Sequence, residues 1–407
     1  RHNPVASLTH RHTRTLLRDY HRRGLLKQHV PNRRPIPRWL DMGNEEEELY
    51  HEVEDYISYY FNKYEEVRKG LGFIMTIYRR RLTSSLYALR CSLERRLQFL
   101  KGQWTDPEHP AGLEDEDIEE ADLSEDKLDE IAQRVVFVNE EIGEVERLLE
   151  KLADLATEEK FLRVQQDLSD ALRQWDQVLV FTQYADTLDF LREQMVHAFG
   201  SRLGCYSGRG GEVWNGTTNS WVGMSKERIQ ELFAKGDIKI LLCTDAAAEG
   251  LNLQNCGLLF NYDMPWNPMK VEQRIGRVDR IGQRRETVEI RHYFYNDTVE
   301  AQIYNVLGDR IGWFETIVGE LQPILHSTQR LIQQAAMTSR GQRGDVIALG
   351  IQELDNEHSE LQMRPAPLRY HLEANTPPPP SAPVDGKQIE DTILERQPWR
   401  DTISTTS

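Results

Sequence analysis

The spacing of apolar residues changes period along the chain. From Asn44 the run NEEEELYHEVEDYISYYFNKYEEV sets Leu49, Val53, Tyr56, Ile57, Tyr60 and Tyr64 three and four residues apart, behind an Asn cap and an acidic first turn. That pattern predicts one long amphipathic helix whose tyrosines pack a core face rather than stack on bases. A second helical stretch, IMTIYRRRLTSSLYALRCSLERRLQFL, ends near Leu100 at the turn-forming cluster GQWTDPEHP. Helical period returns between Leu128 and Trp175, with Val138, Ile142, Val145, Leu148, Leu149 and Leu152 as its stripe. Past Asp176 the runs QVLVFTQY, IKILLCTD, GLLFNYD and VEIRHYF are strand-sized and rich in β-branched and aromatic residues, and they alternate with the amphipathic DTLDFLREQMVHAF and SKERIQELFAK. Alternation of this kind predicts an α/β fold, a parallel sheet covered by helices, with active groups just beyond the carboxyl ends of the strands. After Asp297 a helical tail runs to about Gln334, and PPPPSAP at Pro377 and the polar end predict disorder.

At 407 residues the chain exceeds what one core usually serves, so two or three structural units are expected. The patterns divide it into a basic segment at 1–43, a helical stretch at 44–175 with an acidic insertion at 106–130, the strand-and-helix lobe at 176–296, a helical extension at 297–340 and a mostly disordered tail at 341–407. Net charge is −16, which excludes a protein basic overall, but the charge is unevenly spread. Residues 1–40 carry ten Arg or Lys against the single acid Asp19, a segment that either meets phosphate or covers an acidic neighbour. Between Glu114 and Glu130 stand eleven acids and Lys127. DEDIEE within that stretch is not read as a metal-holding acidic box, because no apolar strand precedes it. Cys91, Cys205, Cys243 and Cys256 form no CxxC pair, so neither a zinc site nor a disulfide framework is expected. No apolar run approaches the ~20 residues that cross a bilayer, and a soluble cytoplasmic protein without membrane partners is the expectation.

Three strings carry candidate chemistry. In Gln273-Arg274-Ile275-Gly276-Arg277-Val278-Asp279-Arg280-Ile281-Gly282-Gln283 the arginines recur every third residue along one helical face, so that two could reach a common anion where Gly276 lets backbone approach. Guanidinium groups so placed suit the charge that builds in phosphoryl transfer; the arginines alone would better suit a surface helix of salt bridges, and it is the full eleven-residue string that favours the first reading. In Thr244-Asp245-Ala246-Ala247-Ala248-Glu249-Gly250-Leu251-Asn252-Leu253-Gln254, directly after a strand, small residues let a nucleic-acid backbone or nucleotide lie close to a hydroxyl and backbone amides. Phe181-Thr182-Gln183-Tyr184 is a polar strand end of a common kind, and the Gly-rich stretch from Ser207 to Lys226 suits a flexible loop.

In this order the strings resemble the second RecA-like lobe of superfamily-two helicases, and RIGRVDRIGQ is highly specific for the Swi/Snf type within it. EGLNLQ, NYDMPWNP and EQRIGRVDRIGQ together are similar to the RNA polymerase-associated helicase-like branch. The resemblance covers residues 176–325 and, more faintly, 8–60, where TRTLLRDY and LYHEVEDY resemble the segment after the first lobe. It implies a RecA-like parallel sheet with helices on both faces, with Arg277 and Arg280 as arginine fingers toward ATP and Gln273 helping to position them. It further implies that Glu249, Gly250 and Asn252 lie at the inter-lobe cleft and that Thr244, Thr182 and Gln183 contact the nucleic acid, with the Gly-rich stretch in the family position for strand contact. Its cofactors would be ATP and Mg²⁺, both held mainly by a first lobe, and its partners double-stranded DNA and that first RecA-like lobe in cis or in trans. The cargo stays open between RNA polymerase, a restriction or defence complex and others. No GxxxxGK[ST] loop or strand-borne acidic pair occurs in the chain, so it is expected to be the carboxyl-terminal part of a longer product or half of a split one, and not ATP-competent alone. The competing reading is an interaction module that keeps the lobe as a scaffold without catalysis.

Overall fold

The computed structural model describes residues 14–67, 73–103, 138–155, 157–245, 251, 253–306, 318–338 and 340–363. The acidic insertion and the Pro-rich stretch from Pro377 lie outside the described residues, whereas residues 341–363, expected to be disordered, are helical. In chain order the elements are α1 Arg14–Arg22, β1 Asn32–Leu40, α2 Asn44–Val67, α3 Phe73–Ser84, α4 Leu86–Leu100, α5 Val138–Asp154 and α6 Glu159–Ala171. Then come β2 Val178–Thr182, α7 Ala185–Phe199, β3 Leu203–Ser207, β4 Gly210–Asn215, β5 Ser220–Met224, α8 Lys226–Lys235 and β6 Ile240–Thr244. The remainder is β7 Leu258–Asn261, α9 Pro268–Val278, β8 Thr287–Tyr295, α10 Val299–Val306, α11 Val318–Met337 and α12 Arg340–Met363.

One mostly parallel sheet runs in the order β1-β8-β7-β2-β6-β3-β4-β5, and only β4 and β5 are antiparallel to their neighbours. Its central strands are buried on both faces, and their alternation sorts side chains between two cores. Val178, Val180, Ile240, Leu242 and Phe260 meet α6 and α7 through Val164, Leu168, Leu191 and Met195. Leu179, Phe181, Leu241, Cys243 and Leu259 share the opposite core with Ile229 and Phe233 of α8, Val271 and Ile275 of α9, and Ile303 of α10. The four expected strand runs thus form β2, β6, β7 and β8 of a RecA-like α/β sheet covered on both faces.

Two strand regions were not expected. Residues 32–40 of the basic segment add β1 at the sheet edge, parallel to β8 in the register Asn32 to Thr287. The Asn32 amide donates to the Glu286 carbonyl, so even-numbered residues of β1 face β8 and Pro35 and Pro37 sit on the outward side, where a missing N–H costs nothing. The arginines of this segment cover acids: Arg33 meets Glu272 at 2.9 Å and Asp279 at 2.6 Å, and Arg38 meets Asp167 at 3.1 Å. The Gly-rich stretch expected as a flexible loop folds as the β4–β5 hairpin instead. Trp214 and Trp221 pair across it, centroids 5.5 Å apart, with the Arg192 guanidinium over Trp221. Glycine is required at 211 by space, since a Cβ there would lie 2.4 Å from Ile229 Cγ1.

Helices α2 to α5 build a separate apolar cluster of Leu49, Val53, Tyr56, Ile57, Leu89, Leu93, Val145 and Leu148, as the tyrosine-bearing stripe predicted. Inside it Glu141 is buried and takes a two-pronged bond from Arg96, Nε at 2.9 Å and a terminal nitrogen at 3.0 Å, and another from the Tyr56 hydroxyl at 3.0 Å. The cluster is tied to α12 through Glu54, which accepts from Arg79 and Arg343, both at 2.6 Å. No helix among the described residues is long and apolar enough to cross a membrane.

Where these helices meet the sheet, buried charges gather. The Lys160 ammonium donates to the Thr83 and Ser84 carbonyls at the end of α3, where a cation suits the helix dipole, and lies over the Tyr295 ring. Burial pushes the Glu158 carboxyl up to about 7, while the Tyr87 amide it accepts from pulls it down. A folded-state pKa above the unfolded value makes folding take up a proton, so this stabilisation is whole below pH 4.5 and lost as pH rises through about 7. Glu158→Gln keeps the acceptor for Tyr87 and removes the titration. Urea unfolding should show the variant gaining about 1–3 kcal/mol on wild type between pH 4.5 and pH 8. An equal difference at both pH values would show that burial does not govern this carboxyl.

Candidate nucleotide and nucleic-acid site

Strands β7, β2 and β6 lie side by side, and the chain leaves β2 to build first one flank of the sheet and then the other. Their carboxyl ends therefore open onto a switch point of the topology, the place where parallel α/β sheets bind ligands. Those ends deliver Thr182 and Gln183, Thr244 and Asp245, and Asn261 to Asp263.

Helix α9 follows directly. Asn267 caps it, its side chain accepting from the Met269 amide at 2.9 Å, and Pro268 begins the first turn. Its buried face carries Val271, Ile275 and Val278, and beside them Arg274, almost wholly buried. The Arg274 guanidinium grips Asp245 with two bonds of 2.5 and 2.9 Å. It also donates to the Asp263 carbonyl at 2.7 Å, the Asp263 carboxylate at 3.2 Å and the Asn261 side chain at 3.2 Å. Burial disfavours the charge, but Asp245 and then Asp263 outweigh it and hold the guanidinium pKa above its ordinary value. Below this, Asn261 meets His292 at 3.0 Å. Burial, with Arg274 nearby, lowers the His292 pKa to about 3, so a neutral ring accepts from the Asn261 amide.

The structure separates the three arginines that the sequence set along one face. Arg274 turns inward as an anchor, whereas Arg277 is half-buried one turn on. Arg280 lies past the helix end, half-buried, with its Nε donating to the Gly276 carbonyl at 2.9 Å. Gln273 is exposed on the same helix. Thr182 is buried and donates to the Asp263 carboxylate at 2.6 Å, and the Gln183 amide donates to the same carboxylate at 2.9 Å. The Gln183 side chain is buried too, with an amide nitrogen that meets no acceptor among the described residues. Thr244 is buried at the end of β6. Glu249, Gly250 and Asn252 lie outside the described residues. Sequence reading missed Asp263, Asp245 and Asn261 as the acceptors that hold the site together. Their signal was present, since each stands at or just past the end of a strand run. Among the described residues no group of three or more His, Cys, Asp and Glu side chains is placed to hold a metal ion.

Residues 159–282, which carry the central strands and the arginine-bearing helix at their ends, match the helicase conserved C-terminal domain. That stretch of the chain is a helicase C-terminal lobe. It is similar, at 38% identity over 158 residues, to a Bacillus subtilis protein named as an uncharacterized ATP-dependent helicase, YqhH, the match covering 38% of this chain and 25% of the relative. RNA polymerase-associated protein RapA of Yersinia pestis is 34% identical over 119 residues, 28% of this chain and 12% of the relative. The chain thus aligns with a quarter or less of the length of these relatives. Among solved structures, the Sulfolobus solfataricus SWI2/SNF2 ATPase core in complex with dsDNA covers 74% of this chain and 48% of its own, at 17% identity and a TM-score of 0.40.

Proposed function

We propose that this chain is the second motor lobe of an ATP-dependent double-stranded DNA translocase, supplying arginine fingers and strand contacts to a first RecA-like lobe joined in cis or in trans. The observation that carries the reading is the seating of α9: Arg274 clamps the helix to the ends of β6 and β7, which fixes the origin of Arg277 and Arg280 at the switch point of the sheet. Guanidinium groups held on a fixed helix lose little order when they meet a phosphate, and charge on a transferring phosphoryl group is what they stabilise. ATP and Mg²⁺, held mainly by the first lobe, would supply the phosphoanhydride bond whose cleavage drives movement. Gln273, on the same helix, would help position the fingers, and Glu249, Gly250 and Asn252 would couple nucleotide state to grip at the cleft. Thr244, Thr182 and Gln183, at or just past the carboxyl ends of β6 and β2, would contact the nucleic acid. The cargo would be a DNA-bound complex such as RNA polymerase or a restriction or defence assembly.

The test is ATP hydrolysis by the 407-residue chain with a first RecA-like lobe supplied, with and without duplex DNA. DNA-stimulated turnover that neither part shows alone supports the motor. No turnover from a complex that sediments as one species supports the alternative, an interaction module that retains the lobe as a scaffold.

A further inference from the structure

The helices before the lobe meet the ends of its central strands at the Asp263 carboxylate. Asp263 Oδ2 accepts from the Ser84 hydroxyl at the last residue of α3, at 2.6 Å, and from Thr182 at the end of β2, at 2.6 Å. Its Oδ1 accepts from the Gln183 amide at 2.9 Å and from Arg274 of α9 at 3.2 Å. Ser84 also shares a 2.8 Å hydrogen bond with Thr187 at the start of α7 and is fully buried, as is Thr187. Two further contacts fix α3 against the same end of the sheet. The Lys160 ammonium takes the Ser84 carbonyl at 3.2 Å, and Arg81 pairs with Asp186 at 2.5 Å. A carboxylate with four donors from three elements has no slack: moving α3 must either break a bond or carry Asp263, and with it Arg274, along.

We propose that Ser84 and Asp263 are positioning residues that make the end of α3 part of the device setting the arginines of α9. In this arrangement the helical segment is not a passive flank. A displacement of α3 is felt at α9 through a hydrogen-bonded relay, Ser84 to Asp263 to Arg274, which runs beside a second path from Thr83 through Glu300 to Trp266 at the foot of α9. The role of α9 in phosphate chemistry rests on the motor reading above, whereas the mechanical link does not.

The experiment uses the whole chain in two measurements. Ser84→Ala removes one bond to a charged acceptor, which should speed hydrogen exchange in residues 268–280 on the order of tenfold, with exchange in α8 unaltered. With a first lobe and DNA present, the same variant should lower kcat for ATP by about tenfold while KM stays within about twofold, as expected when positioning and not ground-state binding is lost. The loss should shrink in the Arg277→Ala background, because one of the two groups that the relay positions is then gone. Asp263→Asn, which turns one acceptor oxygen into a donor, should act in the same direction and more strongly. Faster exchange confined to α3, with residues 268–280 as protected as in wild type, overturns the relay. A wild-type chain inactive with a first lobe, combined with a loosened α9 in Ser84→Ala, removes the motor reading and upholds the link.

Discussion

Arg277→Ala is expected to lower DNA-stimulated ATP turnover of the chain completed by a first lobe by about 10³-fold or more, the usual cost of a lost arginine finger. Arg277 is half-buried on a helix whose packing rests on Val271, Ile275 and Val278. Its truncation should therefore move the unfolding free energy by no more than about 1 kcal/mol. Arg280→Ala should match it in turnover and carry a small stability cost for its lost bond to the Gly276 carbonyl. Turnover unchanged in both variants would remove the finger assignment and favour the scaffold reading. The comparison is informative because the two substitutions leave the clamp at Arg274 intact.

Arg274→Ala should behave oppositely, as a folding defect first. Its removal strands the Asp245 and Asp263 carboxylates against the strand ends without the cation they share, with side chains 16% and 6% exposed. Breaking a buried pair on one side typically costs about 3–5 kcal/mol, which urea unfolding of the purified chain would read directly. Arg274→Lys should recover only part of that loss, because a point charge cannot bond Asp245 with two nitrogens while reaching Asp263 and Asn261. A loss below about 1 kcal/mol in Arg274→Ala would mean that the network is dispensable and that α9 is seated by its apolar face alone.

The strand runs, the helices between them and the tyrosine stripe of α2 were legible because each is a local pattern repeated over many residues. The edge strand was not: NRRPIPRWL carries two prolines and three arginines, and what makes it a strand is β8 and the acids Glu272 and Asp279, some 240 positions further along the chain. The β4–β5 hairpin was hidden by glycines that serve close packing and not flexibility, as the contact of residue 211 with Ile229 makes plain. In the site, periodicity located the helix and its arginines but could not rank them. Spacing of three residues turns a side chain by about 60° around a helix, and only the position of the strand ends decides which arginine faces inward. Asp263 lay within the string NYDMPWNP all along, yet its importance comes from donors at Ser84, Thr182, Gln183 and Arg274 that no single window of sequence contains.

The stretch that matches the helicase domain, residues 159–282, is not self-sufficient. It begins after Ser84 and β1 and stops before β8, so excising it would leave β7 as a raw hydrogen-bonding margin and would deprive Glu272 and Asp279 of Arg33. An isolated fragment cut at those limits would therefore be sticky and poorly soluble, so the amino-terminal strap belongs to any piece of the chain meant to stand alone.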